Sequence, residues 1–329
     1  MPLRSAPLPR MAGDLTFMRT RRATINDLHP DNIAVLGAPI EGNVGLKSGC
    51  RFGPDALRET SAYFGWHANP QFSRPVEIDA RTAVDTSSIN DRVVDIGDVP
   101  LTGVPKAAAM TAIRATVQDV RRRGASIILL GGDDDIVLPA VAGGAVEEPS
   151  AFIQIGGRLP GNMASESEPT SALEPPIKQL LAAGIITPGA SMVIAGAQNP
   201  GIEFAQHFTA SGGKILGRRD VSEMTAAEMA ELATDIARRA PTLQVHFDLS
   251  AVKPSLHGMT ETPSFGGLAV PTIRTLLGAI GQAPVSNLVV TGLNPTLSGL
   301  SVVKTGQRLL VTTLLSFLYG RLGLQEADG

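Results

Sequence analysis

The chain has 329 residues, of which 43% are hydrophobic and 18% charged, with a formal net charge of −3. That composition supplies a substantial core, excludes wholesale disorder, and offers no basic excess for nucleic acid or an anionic membrane surface. A single cysteine, Cys50, leaves no internal disulfide; with no secretory leader pattern and no apolar run near the roughly 20 residues of a spanning helix, a cytoplasmic protein is expected.

In chain order, residues 1–30 mix Pro, Arg and polar residues without a period and are expected to form an N-terminal arm. One domain is expected over residues 31–329. Within it, Ile33–Leu36, Val93–Ile96, Ser126–Leu130, Ala151–Ile155, Met192–Ala195, Lys214–Leu216, Leu243–Phe247 and Asn287–Thr291 read as strands. Most lack polar alternation, as strands covered on both faces do. Lys106–Arg123 places Met110, Ile113, Val117 and Val120 on one helical face, with Gly124 as its stop. Thr225 with Glu228 makes a capping box ahead of a helix over Ala226–Arg239. Helical patterns continue over Pro271–Ile280 and Val302–Tyr319, while Gly156–Pro176 reads as a long surface loop. Strand and helix alternate throughout, which predicts a three-layer α/β/α domain around a mainly parallel sheet.

Ligand sites in such sheets form beyond the carboxyl ends of the strands. Those ends carry Gly131-Gly132-Asp133-Asp134-Asp135, Gly156-Gly157-Arg158-Leu159-Pro160 and Asp248-Leu249-Ser250. Asp133, Asp134, Asp135 and Asp248 could converge on a hard cation, which wants several carboxylate oxygens. Equally, an aspartate after Gly-Gly is an ordinary turn residue and helix cap. His246 lies inside an apolar strand and reads as a core histidine; His67 and His257 read as surface loop residues. Cys50 has no neighbouring histidine and reads as a small apolar side chain. Gly45, Gly49 and Gly53 lack the spacing of a dinucleotide fingerprint.

Several motifs together resemble the arginase/agmatinase (ureohydrolase) family. They are Gly37-Ala38-Pro39 followed by Gly49-Cys50-Arg51-Phe52-Gly53-Pro54-Asp55-Ala56-Leu57-Arg58; Val94-Asp95-Ile96-Gly97-Asp98-Val99; Leu130-Gly131-Gly132-Asp133; His246-Phe247-Asp248 with Pro254; Thr262-Pro263 with Gly266-Gly267-Leu268; and Asn294-Pro295. The resemblance runs from about residue 33 to the C-terminus. It implies a parallel eight-stranded sheet and hydrolysis of a guanidinium C–N bond by a hydroxide held between two manganese or nickel ions. Metal-bound water is deprotonated near neutral pH, and a guanidinium is too poor an electrophile for neutral water.

Two His and four Asp side chains normally hold that pair, and here the resemblance breaks down. The first ligand histidine falls on Asp134. The Asp, His and Asp of the next motif fall on Gly156, Arg158 and Pro160. Of the last motif, Asp248 is kept and its second aspartate becomes Ser250. A guanidinium has no lone pair to give a metal, so Arg158 is expected to fill the vacated pocket and pair with Asp133, Asp134 or Asp248. The family's loop histidine aligns near Leu173 and its substrate-binding glutamate with Gly292. The candidate pocket is therefore Asp133, Asp134, Arg158, Asp248 and Gly292, with no catalytic or metal-ligating residue expected. The turn-shaping glycines persist while the ligands do not. This implies a chain without its own metal that supports or regulates an active, nickel- or manganese-bearing ureohydrolase paralogue in a trimer- or hexamer-type hetero-oligomer. The alternatives are an amidinohydrolase with a remodelled single-metal or metal-free site, and a small-molecule sensor using the emptied pocket.

Overall fold

The computed structural model describes residues 14–41, 48–64, 76–77, 82–83, 87–101, 103–145, 148–160, 175–195, 202–256, 258–260, 262–264, 266–297 and 300–323. Its strands are β1 (Arg21–Arg22), β2 (Ile33–Ala38), β3 (Val76–Glu77), β4 (Thr82–Ala83), β5 (Val93–Asp98), β6 (Ser126–Gly131), β7 (Ser150–Gly156), β8 (Ile186–Ala195), β9 (Lys214–Gly217), β10 (Leu243–Asp248) and β11 (Val285–Thr291). The principal helices are α1 (Gly53–Ser61), α2 (Ser87–Arg92), α3 (Lys106–Arg122), α4 (Val137–Gly144), α5 (Pro176–Ala182), α6 (Ile202–Ala210), α7 (Arg218–Glu223), α8 (Ala226–Ala237), α9 (Val270–Gly281) and α10 (Leu300–Leu322).

The main sheet runs β1-β5-β2-β6-β11-β10-β7-β8-β9, and every pairing in it is parallel. β3 and β4 form a separate antiparallel pair. The sheet thus has nine strands where eight were expected. The eight expected strands are all present, and the ninth is β1, inside the stretch read as an arm. Burial explains the addition: Phe17 and Met18 are fully buried beside it, and Arg21 and Arg22 pair with Val94 and Asp95.

Alternation decides which residues meet which helices. In β6, Ile128 and Leu130 join the core under α1, α8, α9 and α10, whereas Ile127 and Leu129 join the core under α3, α4, α5 and α6. The same rule in β10 turns Val245 and Phe247 toward the first core. Gln244, His246 and Asp248 must then point to the other face. α3 buries Ile113, Val117 and Val120 and stops at Gly124, whose φ of +80° suits glycine. The Thr225 box is formed, with Glu228 N–H donating to the Thr225 hydroxyl and Thr225 N–H donating to Glu228 at 2.7 Å.

The first and third sequence motifs owe their glycines to close packing above the strand ends. A Cβ on Gly53 would lie 2.7 Å from the Gly131 carbonyl oxygen and 3.2 Å from that of Leu293, and one on Gly132 would overlap the Ile40 carbonyl. These contacts lock the loops after β2, β6 and β11 together. Among the described residues, no helix is long and apolar enough to cross a membrane.

Candidate functional site

The strands β6, β11, β10 and β7 are consecutive in the sheet, so the turns after them converge on one end of the molecule. The turn after β6 carries Asp133 and Asp134. Asp133 accepts the Asp135 N–H at 3.1 Å and caps the short helical turn that follows. Asp135 pairs with Lys106 Nζ at 2.7 Å, facing α3. For Asp133, then, the capping role read from Gly-Gly-Asp is the one found.

Asp134 turns inward instead. Its Oδ1 accepts the Thr291 hydroxyl proton in a very short hydrogen bond. The same oxygen lies 3.4 Å from His246 Nε2, and that nitrogen lies 2.8 Å from Thr291 Oγ1. Thr291 and His246 are buried. Removal from water would raise the Asp134 pKa. The His246 hydrogen bond and charge, the Thr291 hydroxyl and the charge of Arg158 outweigh this and hold the carboxyl below the usual carboxylate value.

Asp248, at the end of β10, is held by the residue next to it but one. Ser250 N–H donates to Oδ1 at 2.8 Å, and the Ser250 hydroxyl donates to Oδ2 in a very short bond. Ser250 Oγ also accepts the Gly157 N–H at 3.0 Å, and the Ser264 hydroxyl donates to the Gly157 carbonyl at 2.9 Å. Burial and then the charge of Asp134 push the Asp248 pKa up to about 6, against the weaker pull of His246 and Ser250. Gly292 adopts φ +82°, and a Cβ there would come within 2.5 Å of Asp248 Oδ1. No side chain fits at that position while Asp248 holds its place.

Arg158 corrects one expectation. It is half-buried, and its charge reaches Asp134. However, it lies within ion-pair distance of none of Asp133, Asp134 and Asp248; the base closest to Asp134 is His246. The side chain that meets Asp134 is His246, which β10 alternation turns toward it. The structure thus brings together Asp134, His246, Thr291, Asp248, Ser250 and Gly292. Leu173, His67, His257 and Gly45 lie outside the described residues. Cys50 is buried, as its apolar reading required.

The donor set does not fit a two-metal centre. Gly156 and Pro160 offer no ligating side chain, and Arg158 offers a fixed positive charge. The inward carboxylates of Asp134 and Asp248 already accept protein hydrogen bonds. Among the described residues, no three His, Cys, Asp or Glu side chains cluster so as to hold an ion. A separate cavity of about 480 Å³ opens near the amino ends of β7 and β8, lined by Arg114, Glu148 and Ile185 among others, and contains none of these residues.

Residues 31–315 match the model of the arginase family. Proclavaminate amidinohydrolase of Streptomyces clavuligerus is 25% identical over 278 residues, covering 83% of each chain. Guanidinopropionase of Pseudomonas aeruginosa is 24% identical over 271 residues, covering 81% of this chain and 80% of its own. The structure of the S. clavuligerus amidinohydrolase superposes with a TM-score of 0.74 at 22% identity, covering 95% of this chain and 99% of that one. Formimidoylglutamase from Bacillus subtilis gives 0.75 at 18% identity, covering 97% and 95%. On the family match, the chain belongs to the arginase family.

Proposed function

We propose that this chain is a non-catalytic subunit that supports or regulates an active ureohydrolase paralogue. The heteromeric arrangement would be of the metformin hydrolase type, with nickel or manganese in the partner and guanidine or biguanide C–N hydrolysis as the shared reaction. The relatives named above act as an amidinohydrolase and a guanidinopropionase, which supports C–N chemistry of this class for the assembly.

One observation carries the reading: after β6, β7 and β10, five of the six expected ligand positions hold aspartate for histidine, glycine, arginine, proline and serine, and the carboxylates of Asp134 and the retained Asp248 are already taken up by protein donors. A site without an activated hydroxide has no nucleophile for a guanidinium carbon. The fold-determining contacts at Gly53 and Gly132 are meanwhile intact. That combination is expected where shape is used and chemistry is delegated.

The test is co-expression with a paralogue that keeps the full ligand set, followed by co-purification, metal analysis and a urea- or amine-release assay on guanidino and biguanide compounds. Turnover that needs both chains, with metal confined to the partner, is the expected result. Turnover by this chain alone would overturn the reading and favour the remodelled amidinohydrolase.

A further inference from the structure

We propose that His246 is a positioning residue that, by hydrogen bonding, ties the tips of β6, β11 and β10 into one rigid wall. The inference concerns a single chain and stands whether or not the subunit reading holds.

The argument is one of donor counting. Thr291 has one hydroxyl proton, and it goes to Asp134 Oδ1. The Thr291 oxygen can therefore only accept from His246 Nε2, 2.8 Å away, so Nε2 must carry a proton. That proton also faces Asp134 Oδ1 at 3.4 Å. His246 Nε2 is thus a donor shared between β11 and the turn after β6, and offers no lone pair to a cation on that side. His246 Nδ1 has no hydrogen-bond partner among the described residues, so the ring is held through Nε2. At the neighbouring tip, Ser250 repeats the device on a smaller scale by joining Asp248 of β10 to Gly157 after β7. Together the two chains of hydrogen bonds cross-link four adjacent strand ends. In both, an aspartate at an expected ligand position is an acceptor for a protein donor.

Two substitutions separate this role from mere filling of space. Glutamine places its amide nitrogen near where imidazole Nε2 stands, whereas asparagine reaches only as far as Nδ1. His246→Gln is expected to keep the melting temperature within about 2 °C of the parent, and His246→Asn to lower it by roughly 3–8 °C, in line with loss of buried hydrogen bonds in a chain of this size. Equal losses in both variants would overturn the proposal.

Nitrogen-15 NMR of histidine-labelled full-length protein supplies a readout independent of folding yield. His246, identified by its absence in a variant, should show a protonated, slowly exchanging Nε2 at neutral pH. That signal should move in Thr291→Val and survive stoichiometric Mn²⁺ unbroadened. An unprotonated Nε2, or broadening by equimolar Mn²⁺, would show that the ring offers a lone pair or a metal site and would sink the assignment.

Discussion

At Asp248, removal from water and the neighbouring charge of Asp134 act in the same direction. A carboxyl raised to about 6 in the folded chain binds its proton more tightly there than in the unfolded chain, where the value is near 3.8. Its contribution to stability is therefore fully present below the unfolded value and lost as pH rises through about 6, by up to about 3 kcal/mol. Asp134, held low, works in the opposite sense: its contribution is present above the unfolded value and lost as pH falls. Asp248→Asn removes the first term and keeps the acceptor for Ser250 N–H. The variant is expected to gain on the parent between pH 5 and pH 7.5 in thermal melts. A stability difference that stays flat over that range would contradict the assignment. A second residue-scale test lies at Arg58, buried at 4% exposure. Its Nε and Nη2 bind Asp95 at 2.8 and 3.1 Å, and Nη1 binds Asp98 at 2.5 Å. Asp95 is itself wholly buried. Arg58→Met leaves that buried carboxylate without its counter-charge, with only the N–H groups of Phe17 and Gly97 as donors, and should cost about 3–5 kcal/mol in urea denaturation. A loss below about 1 kcal/mol would mean that the backbone donors or entering water hold the Asp95 charge without Arg58.

At the scale of elements, the same carboxylate explains why residues 14–30 are part of the domain. Asp95 Oδ2 accepts the Phe17 N–H at 2.7 Å, and the Ser61 hydroxyl oxygen accepts that of Met18 at 2.7 Å. Phe17 then fills the core with no exposed surface. Phe17→Ala should destabilise the chain by about 3–5 kcal/mol, measured by denaturant melts; near-neutrality would place this segment outside the cooperative unit. None of this is visible locally. β1 is two arginines with both side chains exposed, and its pairing is dictated by partners some 75 residues away. The eight other main-sheet strands were legible because helices cover both faces and leave short apolar runs. In β10 the sequence carries a strong signal. Leu243-Gln244-Val245-His246-Phe247-Asp248 alternates strictly, and that alternation already turns His246 and Asp248 to one face. A histidine in register with a retained aspartate belongs to the site even when buried. Thr291 carried no such signal, since one threonine at the end of an apolar strand is unremarkable until the turn after β6 folds over it.

At the scale of the whole molecule, motif spacing gives the expected ligand positions along the chain, but it could not show what Asp134 and Asp248 bind. Spacing gives position along a strand; the direction of a side chain across the sheet depends on neighbours distant in sequence. This distinction bears on whether a metal centre could be rebuilt. Gly156 has room, since a Cβ there would meet nothing closer than 3.7 Å. Ser250 is tighter: it is fully buried, and its hydroxyl already contacts Asp248 and Gly157. Restoring Asp134→His, Gly156→Asp, Arg158→His, Pro160→Asp and Ser250→Asp together returns the donor types. It leaves the His246 ring against position 134, where it competes with the ion for the lone pair of the new imidazole. Adding His246→Ala removes that competitor and the turn's old anchor at once. Mn²⁺ titration calorimetry should find no tight site in the parent and a weak one in the five-fold variant. Affinity should then improve roughly tenfold or more with His246→Ala, the scale on which partners of ligand side chains act. If the five-fold variant binds as tightly with His246 as without it, the histidine does not control metal binding at these strand ends.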